Sequence, residues 1–332
     1  MLYLHLVKSN KYNMANRWIH RWILRIILVL FVGIFTSCDT HISTADKAAA
    51  ADSLKTLEEI PSKYVSIDNV KIHYKTYGEG DTCIVFVHGF GCDINSWQEQ
   101  LSYLKNKAQM LFIDLPGYGK SDKPHTEYTL DFFANAVKTV MVETLHVKSQ
   151  QANTEAQQVP FILVGHSLGT PVCRQVALKY PELVSKLIDI DGVYCFYPAD
   201  SMMIAAYNAF AESFNTDTLR PIIEGFVESL CTAQTPSVVK EYAISTMPET
   251  PKYIAYSTMK NLIDEKYWTN EKINIPTLVI ASKNSGIPPD YKQIMSSLYS
   301  DMEYCELDSI GHFIMMEQPE MFNEMVEKFI KE

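Results

Sequence analysis

A serine stands at the centre of the pentapeptide G-H-S-L-G, residues 165–169. The apolar run Phe161–Val164 precedes it and a helix-like stretch, Thr170–Tyr180, follows it, so the pattern predicts a strand, a sharp turn and a helix. Glycine on either side removes the Cβ atoms that would clash in so tight a turn. A serine hydroxyl is a poor nucleophile at neutral pH and needs both exposure and a general base. The turn therefore marks Ser167 as a candidate nucleophile.

The chain has nine histidines, and one of them has a context suited to a general base. His312 follows the strand-like run Glu303–Leu307 and a glycine near the end of the chain. A histidine there would take the proton of Ser167 and later give it to the leaving group. His88 and His166 lie beside backbone turns, and we expect them to order those loops by hydrogen bonding.

Three further motifs accompany the serine turn. An apolar strand, Ile84–Val87, runs into H-G-F-G; residues 114–122 read D-L-P-G-Y-G-K-S-D; and Gly311-His312-Phe313 is followed by E-Q-P-E at residues 317–320. Together with the serine turn, and in this order, they resemble the α/β-hydrolase fold superfamily, and in particular its serine hydrolase or esterase-like members. The resemblance covers about residues 64 to 332, apart from the middle section.

The resemblance implies a fold and an oxyanion hole. The fold is α/β, a mostly parallel, doubly wound sheet with an inserted helical cap. The backbone amides of Phe90 and Leu168 correspond to the family's oxyanion donors. The chemistry of such a site needs only protein groups and water, so the resemblance implies neither a cofactor nor a metal.

The acid that should orient His312 departs from the common family pattern. Many relatives carry it in the turn after the strand that here ends at Ile280, but residues 281–286 contain no carboxylate and only Asn284 as a polar substitute. Other relatives, including haloalkane dehalogenases, carry the acid at the end of the preceding strand, which here is Asp191. We therefore expect Asp191 to complete the triad.

Other acids stay open as alternatives. Asp290 lies past two prolines and is predicted to begin a helix, and Asp308 is close in sequence to His312. A Ser–His dyad without a carboxylate is a further possibility. For Asp191 itself, the alternative is a residue that caps the turn before a glycine.

The pattern of segments predicts where the elements lie. A polar surface loop is expected over residues 148–158, after a helix at Leu130–Leu145, and a helical cap over residues 194–272. Six apolar cap residues either line an acyl pocket or form the cap's own core: Met202, Met203, Tyr207, Phe210, Phe214 and Phe226. The predicted strands are Lys63–Ile67, Val70–Tyr77, Thr82–Val87, Met110–Asp114, Phe161–Val164, Leu187–Asp191, Ile275–Ile280 and Glu303–Leu307.

The N-terminus has a different composition. Three arginines precede the ten-residue apolar run 26–35, which is too short to span a bilayer, for which about 20 residues are needed. The run ends at F-T-S-C, which resembles an imperfect bacterial lipobox with Cys38 as the lipidated residue. Residues 1–38 are then a lipoprotein-type signal, 39–60 a flexible tether and 61–332 the catalytic domain. An uncleaved anchor or an ordinary secretory signal is the alternative.

Composition limits the partners. The net charge of −10 and pI near 5.4 disfavour nucleic acid, whose binding needs clustered Lys and Arg. Of the cysteines in the mature chain, Cys195 and Cys231 form the one pair to be tested as a disulfide. The expected partners are a small ester and, through the lipid, a membrane surface of an exported protein.

The resemblance implies cleavage of a carboxylic ester through an acyl-enzyme. Dehalogenases and epoxide hydrolases of this fold carry Asp at the position of Ser167, which disfavours those activities. A C–C bond hydrolase of the same fold also uses Ser and is the enzymatic alternative. A lipid-tethered binding protein without turnover is the alternative of another class, and the missing acid after Ile280 is its main support.

Overall fold

The computed structural model describes residues 57–152, 160–195 and 201–332. One eight-stranded sheet runs through it in the order β1-β2-β4-β3-β5-β6-β7-β8. The pairs β1–β2 and β2–β4 are antiparallel and all other pairs are parallel. The strands are β1 Lys63–Ile67, β2 Val70–Tyr77, β3 Cys83–Val87, β4 Gln109–Ile113, β5 Phe161–His166, β6 Val184–Ile190, β7 Thr277–Ser282 and β8 Met302–Leu307.

The central strands are buried along their whole length. Every residue of β3, β5 and β7 is buried, as expected for parallel strands that are covered on both faces.

The helices in the described residues are α1 Gln98–Leu104, α2 Leu130–Ala152, α3 Gly169–Lys179, α4 Ser201–Ser213, α5 Leu219–Leu230, α6 Ser237–Thr246, α7 Lys252–Leu262, α8 Tyr291–Leu298, α9 Ile314–Glu317 and α10 Pro319–Lys331. The α/β, mostly parallel architecture is the one predicted.

The insertion between β6 and β7 is helical, as the sequence predicts. Helices α4 to α7 fill it, with short 3₁₀ turns at Met247–Glu249, between α6 and α7, and at Glu265–Tyr267, after α7. Their apolar faces are buried in a core continuous with that of the sheet domain, through Ile223, Val227, Val239 and Ile254. The cap thus packs on the domain that carries the serine turn. Across the described residues, none of the helices combines the length and apolarity that crossing a bilayer would require.

Two predicted boundaries are wrong. The expected loop at residues 148–158 does not begin at Lys148, because α2 continues to Ala152; residues 153–158 lie outside the described part. The expected tether does not extend to residue 60, because Leu57 is fully buried and its amide donates to Gln98 Oε1 at 2.9 Å. The packed domain therefore includes residues 57–60.

The signal-like segment, Cys38 and residues 39–56 of the expected tether all lie outside the described residues. Their assignment rests on the sequence alone.

Strand order brings the chemical residues together. β5, β6 and β7 are adjacent and parallel, so their carboxyl ends meet at one edge of the sheet. Ser167 follows β5 and Asp191 follows β6 directly. The backbone amide of each residue adds one hydrogen bond to the pairing with the next strand. Ser167 N donates to Ile190 O at 3.0 Å, and Asp191 N donates to Ile280 O at 2.8 Å.

Candidate active site

Ser167 occupies a strained turn between β5 and α3. Its φ is +52°, in the left-handed region that residues with a Cβ rarely adopt. Its carbonyl accepts two bonds from Thr170, from the backbone amide at 3.0 Å and from Oγ1 at 2.8 Å. A Cβ on Gly169 would lie 2.2 Å from Val87 O, so only glycine lets α3 start so close to β3. The turn is thus held from both sides.

The loop after β3 passes directly over the serine. A Cβ on Gly89 would lie 3.0 Å from the Cβ of Ser167. The next residue is Phe90, and Leu168 follows the serine. In the part of the chain that the structure describes, neither the Phe90 nor the Leu168 amide donates to a protein acceptor. Two open amides that flank a serine are suited to stabilising a developing oxyanion.

His88 holds that loop in place, as expected. Its Nδ1 donates to Gly89 O at 2.8 Å, and its Nε2 accepts from the amide of Leu115 at 3.0 Å. Full burial lowers its pKa, so the imidazole is neutral and keeps one donor and one acceptor. His88 therefore orders the loop and does not face the serine chemistry.

Asp191 binds His312. Its Oδ2 accepts from His312 Nδ1 at 2.6 Å, and the carboxylate is 2% exposed. The other oxygen, Oδ1, accepts from the Ser282 amide at 2.8 Å and from Ser285 Oγ at 2.9 Å. Like Ser167, Asp191 has a left-handed φ, here +46°. With Nδ1 bonded to the acid, Nε2 of His312 is left as the acceptor that a general base needs.

The stretch that lacks an acid has another role here. Residues 281–286 contain no carboxylate, but Ser282 and Ser285 donate to the carboxylate of Asp191. The alternative acids do not contact His312: Asp290 precedes α8 and is exposed, and Asp308 bonds the adjacent Ser309 amide. Asn284 Nδ2 donates to Ile310 O at 3.3 Å and does not contact the imidazole.

His166 links the serine turn to the histidine loop. Its Nε2 donates to His312 O at 3.0 Å, and the two ring centroids are 4.6 Å apart. Burial, and then the nearby His312, lower the pKa of His166 well below its usual value. A neutral His166 is thus a fixed donor that ties the backbone of the base to the residue before the nucleophile.

Ser167, Asp191 and His312 all line one apolar cavity of about 160 Å³. Its lining also includes residues of the cap and of the segment after β7. Tyr207, Phe210 and Phe226 face the cavity, whereas Phe214 is 1% exposed and packs edge-on against Phe90, so the four aromatic cap residues divide between pocket and core. Met202 is 53% exposed and belongs to neither. Apart from Asp191 and His312, the described lining carries no charged side chain.

Comparison with known proteins identifies the family to which this fold belongs. A family model of the alpha/beta hydrolase fold matches residues 82–319. The chain belongs to the α/β-hydrolase fold family. It is 27% identical over 285 residues to the uncharacterized hydrolase YugF of Bacillus subtilis, covering 82% of this chain and 98% of that protein. It is 26% identical over 307 residues to epoxide hydrolase 1 of Caenorhabditis elegans, covering 82% and 71%.

Among solved structures, the esterase EaEST from Exiguobacterium antarcticum superimposes with a TM-score of 0.68. The two are 20% identical, and the match covers 82% of this chain and all of the esterase. At this identity the likeness establishes the fold alone. The relatives of this α/β hydrolase thus include both esterases and epoxide hydrolases, and the choice between them depends on the site.

Sequence reasoning missed the residues that support the site of this α/β hydrolase. Ser282, Ser285 and Glu317 bond the acid or the loop of the base, yet they carried no signal by themselves. Glu317 did lie in the E-Q-P-E motif, five residues after His312. Cys195 and Cys231, the pair singled out for a disulfide, are both free thiols.

Proposed function

We propose that this α/β hydrolase cleaves carboxylic esters through an acyl-enzyme on Ser167. One observation carries the proposal: Ser167 and the hydrogen-bonded pair Asp191–His312 line the same cavity. The amide of Leu168, next to the serine, and that of Phe90, on the loop above it, have no protein acceptor in the described residues. A nucleophile, a base with a free Nε2 and an acid on Nδ1 are the parts that acyl transfer requires.

In the proposed reaction, Ser167 Oγ attacks the ester carbonyl carbon while His312 Nε2 takes the hydroxyl proton. The Phe90 and Leu168 amides donate to the carbonyl oxygen as it becomes negative, and Asp191 stabilises the imidazolium. The tetrahedral intermediate collapses, His312 returns the proton to the departing alcohol, and the acyl group stays on Ser167. Water then attacks the acyl-enzyme with His312 as base, which releases the acid and restores Ser167.

The nature of the cavity supports a neutral acyl group. An apolar cavity of about 150 Å³ can hold benzene, so the cavity of about 160 Å³ fits an acyl chain of about six carbons. A carboxylate at the far end of the acyl chain would be buried without a partner among the described lining residues, which is costly. The proposed substrates are therefore esters of small to medium, uncharged acids.

The serine at position 167 favours ester hydrolysis over epoxide hydrolysis. Epoxide hydrolases of this fold carry Asp where Ser167 stands, and a serine ether formed by epoxide opening could not be hydrolysed like an ester. The binding-protein alternative loses its main support, because Asp191 bonds His312 although residues 281–286 lack an acid. Nothing in the cavity singles out C–C cleavage.

The proposal is tested by steady-state hydrolysis of p-nitrophenyl esters from acetate to dodecanoate by the full-length protein. We expect kcat/KM to peak near hexanoate and to fall by about 100-fold or more for a hexanoate-length ester that ends in a carboxylate. Styrene oxide and a vinylogous C–C hydrolase substrate serve as the competing reactions. Turnover of either without ester turnover would contradict the proposal.

Phe226 offers a direct test of the cavity as the acyl site. Phe226→Ala removes a ring from the wall, so the chain-length optimum is expected to move to longer esters. Phe132→Ala is the matched control, because Phe132 is also half-buried but lies on α2, outside the cavity lining. An optimum unchanged in Phe226→Ala, or shifted equally in Phe132→Ala, would place the acyl chain elsewhere.

We also propose that the protein is exported and tethered to a membrane surface by lipid on Cys38. The basic and apolar segment before Cys38 and the small residues next to it support this. Metabolic palmitate labelling in a bacterial host should mark the wild type and not Cys38→Ala, with the variant lost from the membrane fraction. Equal labelling of the two, or none of either, would contradict lipidation at Cys38.

A further inference from the structure

A buried carboxylate lies directly under the backbone of the proposed base. Glu317, at the end of α9, is 6% exposed. Its Oε2 accepts from the Gly311 amide at 2.9 Å and its Oε1 from the Phe313 amide at 3.1 Å. The two residues that flank His312 are therefore held by one side chain. An amide bonded to a carboxylate is held more strongly than one bonded to a neutral acceptor.

The cap holds the amide between them. His312 N donates at 2.9 Å to the carbonyl of Leu230, the last residue of cap helix α5. Leu230 also lines the cavity in which the acyl group is proposed to sit. The end of one cap helix thus contacts both the substrate space and the main chain of the base.

The cap also reaches Glu317 itself. Thr235, in the turn between α5 and α6, donates from Oγ1 to Glu317 Oε2 at 2.8 Å. The same hydroxyl oxygen accepts from the Thr232 amide at 2.9 Å, which fixes the turn. Gly311 lies where these groups converge: a Cβ there would be 2.6 Å from Glu317 Oε1 and 2.9 Å from both Leu230 O and Thr235 Oγ1. No side chain fits between the cap turn and the histidine loop.

We propose that Glu317 is a positioning residue for His312 and that Thr235 couples it to the cap, so that the cap sets the geometry of the base. This inference rests on the proposed ester hydrolysis. It assigns Glu317 no contact with substrate: the carboxylate acts through the backbone of residues 311–313. A cap helix displaced by a substrate that fits badly would pull on Leu230 and Thr235, and with them on the imidazole.

The consequence is a rate effect without a binding effect. If the imidazole is misplaced by a fraction of an ångström, proton transfer from Ser167 slows while the acyl pocket keeps its shape. Glu317→Gln should lower kcat by about 10- to 100-fold and leave KM within about twofold, because the amide can accept only one of the two backbone bonds well. Phosphonylation of Ser167 by a fluorophosphonate should slow in parallel, since it needs the same proton transfer.

A sharper test of the coupling between the cap and Glu317 changes Thr235. Thr235→Val removes the hydroxyl and keeps the shape, and Thr235→Ser restores the hydroxyl. The matched control is Thr258→Val, because Thr258 is another cap threonine whose hydroxyl is bonded across to the sheet domain, to Tyr118 OH at 2.9 Å, but away from the histidine loop; Thr258 is buried and Thr235 half-buried. Thermal melts of all the variants measure the general cost of loosening the cap.

We expect Thr235→Val to lower kcat by about 3- to 10-fold at unchanged KM, with Thr235→Ser close to wild type and Thr258→Val unaffected in kcat. Equal kcat losses in Thr235→Val and Thr258→Val, or no recovery in Thr235→Ser, would overturn the coupling while wild-type turnover leaves the proposed function standing. A wild type that neither hydrolyses esters nor reacts with a fluorophosphonate would overturn both.

Discussion

Two regions carry the proposed catalytic groups, and they are built differently. Ser167 and Asp191 follow adjacent buried strands, and the amide of each is bonded to the neighbouring strand. His312 lies on a loop after β8, and the amides around it are bonded to the Glu317 side chain and to the cap. The nucleophile and acid are thus continuous with the sheet, whereas the base is held by one carboxylate and by a hydrogen bond to the cap insertion.

This difference separates two tasks of the site, which are to hold the nucleophile and acid in place and to position the base. Strand ends in a packed core hold two groups without help from the cap, at the cost of left-handed backbone at both. The loop lets the third group respond to what lies under the cap. Substitutions at the strand ends should therefore destabilise the fold or abolish catalysis. Substitutions in the histidine loop should lower kcat in a protein that still folds.

The largest effect is expected at the acid. Asp191→Asn keeps the shape but favours the wrong tautomer of His312, and an equivalent change in trypsin costs about 10⁴ in kcat. Asp290→Asn is the matched control, since Asp290 is exposed and does not contact His312. Ester hydrolysis by the two purified variants decides between them. A loss in Asp290→Asn, or full activity in Asp191→Asn, would mean that another group serves His312.

A pair of glycine variants separates the two regions directly. In Gly165→Ala the new Cβ would meet the backbone of the serine turn, 2.5 Å from Gly169 O, so the free energy of unfolding should fall by about 2 kcal/mol or more. In Gly311→Ala it would press on Glu317 and Leu230, and kcat should fall by about 100-fold with a smaller loss of stability. Thermal melts and kcat measured on the same samples check this. The reverse pattern would show that the histidine loop, not the serine turn, is the structural element.

The smallest effect concerns stability on the strand side. Asp189 on β6 is fully buried, accepts from Tyr194 OH at 2.6 Å and from Tyr299 OH at 2.5 Å, and burial raises its pKa from 3.8 to about 6. The folded state therefore holds this proton more tightly than the unfolded state. The resulting stabilisation is complete below pH 3.8 and is lost as pH rises through about 6.

Compared with Asp189→Asn, which does not titrate, the wild type should lose on the order of 2 to 3 kcal/mol of unfolding free energy between pH 4 and pH 7. Urea titrations of both proteins across that range measure the difference. A constant gap between the two would mean that Asp189 keeps an ordinary pKa.

The strand side was the more predictable from sequence, for a physical reason. The central strands β3, β5 and β7 read as largely apolar runs, and the glycine spacing around Ser167 reflects a local backbone requirement, so the predicted strands match those observed to within a few residues. Asp191 could be named because it ends a predicted strand at the position where some relatives of this fold carry the acid. The end of α2 was misjudged because polar residues continue a helix as readily as they form a loop.

The loop side was harder because its order comes from contacts between distant positions. Ser282 and Ser285 bond a carboxylate about 90 residues earlier in the chain, and Thr235 bonds one 82 residues later. No local pattern marks a serine or a threonine for such a role. The division of the cap aromatics between pocket and core, with Phe226 in the first and Phe214 in the second, depends equally on how the cap is seated.

The most direct test of the proposed chemistry is peptide mapping by mass spectrometry after reaction of the full-length protein with a fluorophosphonate. Only a serine activated by a base reacts quickly with such a probe. We predict a single phosphonyl adduct on Ser167, formed in parallel with the loss of ester hydrolysis and absent in Ser167→Ala. An unlabelled protein, or an adduct on another residue with Ser167 unmodified, would contradict the assignment of Ser167 as the nucleophile.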